Sequence, residues 1–213
     1  MPTLKKPFLT PEAVSLIVVS AYIAAQMLSD VTSNKIGNFW GLAVDMGTFI
    51  YPITFTLRDL VHKRLGKKNT RVIIITAGVI NLLMVLYIWF CAYFPSDVSF
   101  TYHEAFAAIF ALTPRIVVAS IVAEIVSEFL DTEIYHWFVT KVTTKYQWAR
   151  VLISNSISVP VDSLLFTVLA FAFAENMGWE SLIQIFIANI IIKYVVTVVS
   201  IPLIYTVREK ANN

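Results

Sequence analysis

Long apolar stretches fill most of this chain and constrain its fold more than any other feature. A helix needs about 20 predominantly apolar residues to cross a bilayer. Six stretches of about that length recur along the chain, at roughly 13–36, 42–62, 72–94, 105–130, 150–174 and 181–206. Of the 213 residues, 58% are hydrophobic and 14% charged, whereas soluble domains carry about 25% charged residues. The sequence therefore predicts an all-α integral membrane protein in which residues 1–213 form a single domain of six transmembrane helices.

Basic residues alternate between the predicted loops and indicate the orientation of the chain. Four segments are basic and two contain no Lys or Arg: 1–12, 62–71, 131–150 and 207–213 against 95–104 and 174–180. Lys and Arg accumulate in cytoplasmic loops of membrane proteins. Both termini are therefore predicted to be cytoplasmic, in a multi-pass protein of the cytoplasmic (inner) cell membrane. The first apolar stretch continues into polar residues without a cleavage site, so we interpret it as a span and not as a signal peptide.

Two segments resemble each other and raise the hypothesis of internal duplication. AYIAAQMLSD (21–30) and ASIVAEIVSE (119–128) share four identical positions, and Gln26 and Asp30 align with Glu124 and Glu128. Three spans separate the segments, so the two halves would have opposite orientations. Such inverted 3+3 repeats occur in many secondary transporters, although one short match also arises by chance.

Polar residues follow one face of five predicted spans. They recur at spacings of three and four residues, which places side chains in line along a helix. Four charged residues lie deep within spans: Arg115, Glu124, Asp162 and Lys193. Each would cost about 2.5–3.5 kcal/mol at the bilayer centre, so we predict that they face each other or a wet cavity. Structural ion pairs are the alternative interpretation. The third span has few polar residues and is predicted to lie at the periphery.

Two prolines mark predicted helix breaks. Pro52 falls in the second span and Pro160 in the fifth, and each removes a backbone hydrogen bond. Thr54 and Asp162 lie two residues after these prolines, where they are predicted either to satisfy the freed carbonyls or to contact a substrate. A simple structural kink is the alternative.

The sequence contains no recognisable catalytic or metal-binding motif. It has no phosphate-binding loop, no HExxH and no GxSxG, and its three histidines are far apart. The single cysteine, Cys91, lies in an apolar stretch and is interpreted as a buried structural thiol. We therefore predict no enzymatic activity, no cofactor and no metal, and the net charge of +2 gives no indication of a nucleic-acid partner. The acidic cluster Glu124, Glu128, Asp131 and Glu133 leaves an intramembrane enzyme open as an alternative.

Several blocks resemble one known family, the VUT-type queuosine precursor transporters (the YhhQ-like group). The second span reads YPITFTLRDLVHKRLG, in which Pro52, Thr54, Asp59 and Gly66 match the family's pattern. The fourth and fifth spans carry similar Arg, Ser and Asp spacings, and the first and sixth add further matches. The matching residues in those spans are Asn34, Lys35, Arg115, Asp131, Arg150, Ser154, Ser158, Asp162, Phe166, Lys193, Pro202 and Tyr205.

The resemblance implies import of 7-deazaguanines such as preQ0, preQ1 or queuine, the precursors of a modified tRNA base. Which of the three is carried stays open. Together with the polar faces, the resemblance suggests a set of substrate-binding residues: Asp30, Asn34, Lys35, Thr54, Arg115, Glu124, Glu128, Ser158, Asp162 and Lys193. A carboxylate would accept hydrogen bonds from the amino-pyrimidine edge, for which Asp30, Glu124 and Asp162 are candidates. An asparagine (Asn34 or Asn189) would read the carbonyl side, and an aromatic ring (Phe55 or Phe166) would stack on the base.

Other functions fit the same chain. The substrate-binding subunit (S-component) of an energy-coupling-factor vitamin importer is also a six-span protein of this size. Transport by alternating access around a midplane site is the expected mechanism of a stand-alone carrier, driven by protons or by facilitated diffusion. The expected partners are the small-molecule substrate and the lipid bilayer, with a homodimer left open.

Overall fold

The computed structural model describes residues 10–142, 147–172 and 177–206, with the side chains at a few positions within helices left out. Within these ranges the chain is mostly helical, with one short hairpin near its beginning. The elements in chain order are α1 (Pro11–Thr32), β1 (Ile36–Phe39), β2 (Leu42–Asp45), a 3-10 turn (Met46–Phe49), α2 (Tyr51–Tyr93), α3 (His103–Phe110), α4 (Thr113–Lys141), α5 (Gln147–Phe171) and α6 (Trp179–Thr206).

Five helical stretches among the described residues are long and apolar enough to cross a membrane. They are Glu12–Thr32, Lys68–Tyr93, His103–Asp131, Leu152–Phe171 and Trp179–Val199. Large apolar side chains cover their outer surfaces, as a lipid-facing exterior requires. The predicted architecture of a helical, multi-pass membrane protein is thereby confirmed in its coarse form, and five of the six predicted spans are matched.

The segment 42–62, predicted as the second span, is not a continuous helix. Its first residues form strand β2 and the 3-10 turn, and helix begins only at Tyr51. From there to Gly66 about 15 residues remain, or about 22 Å of helix, which is shorter than the bilayer's hydrocarbon core of about 30 Å. The prediction of a regular helix from residue 42 was therefore wrong, because a short apolar strand resembles the start of a helical stretch in sequence.

The hairpin forms because its turn residues adopt left-handed backbone angles. Strands β1 and β2 pair antiparallel, with Phe39 opposite Leu42. The two residues between them, Trp40 and Gly41, have φ of 53° and 88°, and positive φ at both central positions defines a type I′ turn. The Asn38 side chain accepts a hydrogen bond from the Gly41 N–H at 3.0 Å and closes the turn.

Helical residues lie on both sides of a break at Gly66 within the basic segment 62–71, which was predicted to be a loop. Only Gly66 departs from helical geometry, with φ of 80° and ψ of 164°, a conformation that favours glycine. The Thr70 hydroxyl donates to the Gly66 carbonyl at 3.0 Å in the first turn after the break. Arg, Lys and Leu are good helix formers, which explains why helix persists on both sides of this single residue.

Prolines occupy two different positions in these helices. Pro52 and Pro114 lie in the first turns of α2 and α4, where the missing N–H costs no hydrogen bond. The prediction that Pro52 interrupts a helix was therefore wrong, since the helix begins there. Pro160 does lie inside α5, as predicted.

The helices pack around an apolar centre formed by α4, α5 and α6. Its buried residues are Ile116, Ala119, Ala170, Phe171, Leu182 and Ile185. The stretch Lys68–Tyr93 is the least buried of the five, with 17% of its most apolar window buried against 28–33% in the others. The predicted peripheral position of the third span is therefore confirmed.

Candidate functional site

Polar residues from most of these elements meet around one cavity. It contains about 250 Å³ of space not filled by protein atoms, part of which is open to solvent. The wall consists of Ser29, Asp30, Ser33, Asp45, Thr48, Tyr51, Ser120, Phe166, Asn189 and Lys193. All of these except Phe166 are buried. Burying a polar side chain in a membrane interior is unfavourable in free energy unless the side chain forms hydrogen bonds or an ion pair. The bonding partners of each polar residue in the wall therefore indicate its role.

Lys193, on α6, forms a buried ion pair in the cavity wall. Its ammonium lies 2.5 Å from Asp162 Oδ2 and donates to Ser163 Oγ at 3.2 Å. The Ser127 hydroxyl donates to the other oxygen of Asp162 at 3.2 Å. The ammonium also lies 4.9 Å from the centre of the Tyr51 ring, in cation–π geometry. Both charges of the pair are therefore compensated within the protein.

Glu124, on α4, accepts hydrogen bonds from two residues of α1. The Tyr22 hydroxyl donates to Oε1 at 2.8 Å. The Gln26 amide lies 2.9 Å from each carboxylate oxygen and 3.0 Å from the Tyr22 hydroxyl. These bonds stabilise the carboxylate and connect α1 to α4 beside the cavity.

Asp45 fixes the chain between the hairpin and α2. It accepts from the Ser33 hydroxyl at 2.9 Å, from the Thr48 N–H at 3.1 Å and from the Thr48 hydroxyl at 2.5 Å. The Thr48 hydroxyl also contacts the side-chain amide of Asn189. A hydroxyl has one proton, so Thr48 satisfies both contacts if it donates to Asp45 and accepts from the amide. In either orientation of the amide, the second polar atom of Asn189 is left available to the cavity.

Close packing against α1 explains why residue 47 is a glycine. The Ser29 hydroxyl donates to the Gly47 carbonyl at 3.2 Å. A Cβ atom on Gly47 would lie 2.0 Å from Ser33 Oγ and 2.4 Å from the Ser29 carbonyl oxygen. Only glycine therefore lets the 3-10 turn approach α1 closely enough to form this side of the cavity.

Asp30 is the least satisfied carboxyl group of the cavity. It is 2% exposed, and the Ser120 side chain hydrogen-bonds to it from α4. Its Oδ2 has no hydrogen-bond partner among the described residues. Asp30 and Asn189 thus each present a buried, unpartnered polar atom in the wall of the same cavity, which is the arrangement expected where a polar ligand supplies the missing bonds.

Four of the ten predicted binding residues lie at or beside the cavity. Asp30 and Lys193 line it. Asp162 is bonded to Lys193, and Glu124 is close enough to Asp30 to interact with it electrostatically. The structure therefore brings together the charged residues from four different predicted spans.

Three predicted residues lie just after α1 or in the first turn of α2 and are not part of the cavity wall. The Lys35 side chain is exposed. The Thr54 hydroxyl donates to the Tyr51 carbonyl at 2.6 Å within the first turn of α2. Asn34 accepts from the Thr113 hydroxyl at 3.1 Å, which connects the end of α1 to the start of α4.

The remaining three lie along α4 and α5. Arg115 Nε donates to the Leu169 carbonyl at 2.8 Å, near the end of α5. The Ser158 hydroxyl lies 3.5 Å from Asp131. The side chain of Glu128 lies outside the described residues. Within the part of the chain that is described, no three His, Cys, Asp or Glu side chains are placed to hold a metal ion.

Sequence reasoning did not single out several residues of this site. Ser33, Asp45, Thr48 and Ser120 belong to the predicted polar faces, but that periodicity does not show which members share a cavity. Asn189, a candidate for the carbonyl side of the base, does line the cavity. Tyr22, Ser29 and Tyr51 were overlooked, since tyrosine and serine are also common in apolar helices. Gly47, two residues after Asp45 in a predicted span, was the available signal for a close approach of two backbones.

A helical membrane protein with a buried polar cavity between its spans belongs to the class of membrane proteins that bind or move small polar solutes. Comparison with known proteins identifies the family. The model of the family described as "Putative vitamin uptake transporter" matches residues 45–207, and the chain belongs to this family. The matched region begins at Asp45 and contains the whole cavity wall except Ser29, Asp30 and Ser33.

A curated relative is similar over most of its length. It is the "Probable queuosine precursor transporter" of Bacillus subtilis (strain 168), 26% identical over 185 residues, which cover 84% of this chain and 78% of the relative. No solved structure matches this chain. Family membership confirms the resemblance to VUT-type transporters.

Proposed function

We propose that this protein imports queuosine precursors, the 7-deazaguanines, across the cytoplasmic membrane. The observation that carries the proposal is the cavity, in which two buried and unpartnered polar groups lie beside aromatic rings in a transporter-family fold. The similarity to a relative named as a queuosine precursor transporter supports the same substrate class.

The cavity is narrow in this structure. Its empty space of about 250 Å³ includes open solvent, and the enclosed part has room for about one water molecule. A flat bicyclic base such as a 7-deazaguanine would therefore enter only when the surrounding elements move apart. Phe166 and Tyr51 supply aromatic faces in the wall, and stacking on such faces would orient the plane of the base.

The unpartnered polar atoms would form hydrogen bonds with the edge of the base. Asn189 presents one amide atom to the cavity and Asp30 presents one carboxyl oxygen. The lactam edge of a deazaguanine offers one N–H donor and one carbonyl acceptor. Binding would therefore satisfy both protein groups, whereas an apolar solute would leave them buried and unbonded.

The irregular segment 33–50 is the element we propose to move during transport. Non-helical backbone at membrane depth is tolerated where it lines a cavity, and transporters commonly bind substrate at interrupted helices. Here the segment is held by side chains, including Asp45 at the 3-10 turn and Gln184, which accepts from the Ala43 N–H at 2.9 Å. Such bonds can exchange singly, without unwinding a helix.

The first experiment is a thermal-shift titration of the purified protein in detergent. The ligands are 7-cyano-7-deazaguanine, its aminomethyl analogue, queuine, guanine and riboflavin. A ligand at 100 times its Kd stabilises the folded state by about 2.7 kcal/mol, so we expect a rise in Tm with at least one deazaguanine. A folded, monodisperse sample that responds to riboflavin and to no deazaguanine would contradict the proposal.

Counterflow in liposomes that contain only this chain then tests transport itself. Liposomes preloaded with unlabelled deazaguanine should take up the labelled compound. Uptake by the chain alone would separate a self-sufficient carrier from a subunit that requires an energy-coupling partner. Binding without counterflow would favour the second.

A further inference from the structure

Buried acidic side chains outnumber buried basic ones around the cavity. Among the residues that the structure describes, the buried acids are Asp30, Asp45, Glu124 and Asp162, whereas Lys193 is the one buried base. A charge inside a membrane protein is stable only when an opposite charge or several hydrogen bonds compensate it. The Lys193 ammonium lies 2.5 Å from Asp162 and compensates the negative charge of that residue alone. The other three acids, Asp30, Asp45 and Glu124, must be stabilised by something other than Lys193.

These three acids differ in the number of hydrogen bonds they accept. Among the described residues Asp45 accepts three, and Glu124 accepts at least three. Asp30 accepts a bond from Ser120, and its Oδ2 has no partner among the described residues. Asp30 is therefore the acid of this cavity whose negative charge is least stabilised.

The groups around Asp30 provide no spare positive charge. Among the described residues, the titratable and charged groups in the cavity wall or beside it are Tyr22 on α1, Asp45 before the 3-10 turn, Tyr51 on α2, Glu124 on α4, Asp162 on α5 and Lys193 on α6. Within this set only Lys193 is a cation, and it is bonded to Asp162. An ionised Asp30 would lie close to a second carboxylate, Glu124, and no cation of this set would be left to compensate it. A proton bound to Oδ2 removes this conflict.

We propose that Asp30 binds a proton on Oδ2 and that this proton is co-transported with the substrate. When the cavity is open to the outside, water delivers the proton and the O–H bond forms. This O–H then donates to the ring carbonyl of the base, so that proton and base are bound together. When the cavity opens to the cytoplasm, the base leaves, the O–H bond breaks and the proton passes to water. The transport part of this proposal rests on the proposed function.

Infrared difference spectroscopy tests the proton without any substrate. A protonated carboxyl group has a carbonyl band that is separate from carboxylate bands and shifts in D2O. At neutral pH we expect such a band in the parent protein, its loss in Asp30→Asn, and its retention in the matched variant Asp45→Asn. Asp30→Glu keeps an acid at this position and should keep a band, even if the Asn variant folds poorly. Absence of the band in the parent, or its survival in Asp30→Asn, would overturn the proposal.

Uptake into liposomes tests coupling, with the uncharged 7-cyano-7-deazaguanine as the probe. An inward gradient of one pH unit should drive accumulation of up to about tenfold in the parent, since one unit corresponds to a tenfold proton ratio. Any counterflow that the Asp30→Asn variant retains should not change when the pH gradient is applied. Asp97→Asn, in the exposed loop between α2 and α3, is the matched control and should accumulate the probe like the parent.

The outcomes separate this inference from the proposed function. Counterflow in the parent without any effect of the gradient would overturn proton co-transport and leave the function intact. No counterflow of any deazaguanine would overturn the function, and the infrared bands would still decide whether Asp30 carries a proton.

Discussion

Two groups of buried polar side chains border the same cavity and are satisfied to different degrees. Around Lys193, the ammonium, both oxygens of Asp162 and the Ser163 hydroxyl are all bonded within the protein. In the same cavity wall, Asp30 and Asn189 each have one atom without a partner among the described residues. Both groups are almost completely buried, so burial alone does not distinguish them.

The difference between the groups separates structural roles from binding roles. A fully bonded buried pair has little capacity left for a ligand, and its removal is expected to affect folding. An unbonded buried atom costs stability in the empty protein and gains a partner only when a ligand arrives. Variants of the ion pair should therefore lower the stability of the protein, whereas variants of the unpartnered group should weaken ligand binding.

The largest effect is expected from breaking the ion pair. Lys193→Met leaves the Asp162 charge buried without its partner, which should destabilise the folded protein by about 3–5 kcal/mol. Thermal unfolding in detergent measures this loss. The double variant Asp162→Asn, Lys193→Met removes both charges and should recover much of the stability. A double variant as unstable as the single one would show that the pair does not act as a unit.

A smaller effect on stability is expected at the 3-10 turn. Gly47→Ala places a Cβ atom 2.0 Å from Ser33 Oγ and 2.4 Å from the Ser29 carbonyl oxygen, and overpacking of this kind costs about 1–3 kcal/mol. Gly78→Ala is the control, because a Cβ on this helical glycine meets no atom within 4 Å. We expect it to keep or raise Tm, since alanine is the better helix former. Equal Tm values for the two variants would argue against close packing at the turn.

The unpartnered group should affect binding more than stability. Asn189→Ala removes one hydrogen bond to the ligand, worth about 0.5–1.5 kcal/mol, or an affinity loss of up to about tenfold. Asn81 is the matched control, since it is also buried with an unpartnered oxygen but lies on the peripheral span. Ligand titration should show weaker binding for Asn189→Ala and unchanged binding for Asn81→Ala. Unchanged binding for Asn189→Ala and weaker binding for Asn81→Ala would show that the ligand does not bind at Asn189.

The smallest effect is expected outside the membrane. The Asp97 carboxylate accepts from the hydroxyl and N–H of Ser99, and these bonds lower the pKa of Asp97 below its ordinary value of 3.8. A lowered pKa contributes stability above that ordinary value, and the contribution is lost as the pH falls through the lowered one. NMR titration should show the pKa of Asp97 rising in Ser99→Ala. An unchanged pKa would mean that the loop does not hold these bonds in solution.

The periodicity of the sequence predicted the general architecture and the polar faces, but not which polar residues of different helices contact each other. Asp30 and Glu124 both lie on polar faces of predicted spans, and in sequence they are equivalent candidates. Their difference depends on Tyr22 and Gln26, which reach Glu124 from another helix. Such contacts between distant segments leave no local pattern. The hairpin was missed for a related reason, since the residues flanking Trp40–Gly41 are too few to distinguish a strand from a helix.

The position of α2 also has a consequence for how the protein is made. The helix Lys68–Tyr93 is apolar enough to partition into a bilayer during synthesis. The preceding piece, from Tyr51 to Gly66, is short and contains Arg58 and Asp59, so its place in the membrane depends on its neighbours. One of these is α6, whose Lys193 and Asn189 contact Tyr51 and Thr48. Since α6 follows every other element of the cavity wall in the chain, the cavity can be completed only after α6 has been translated.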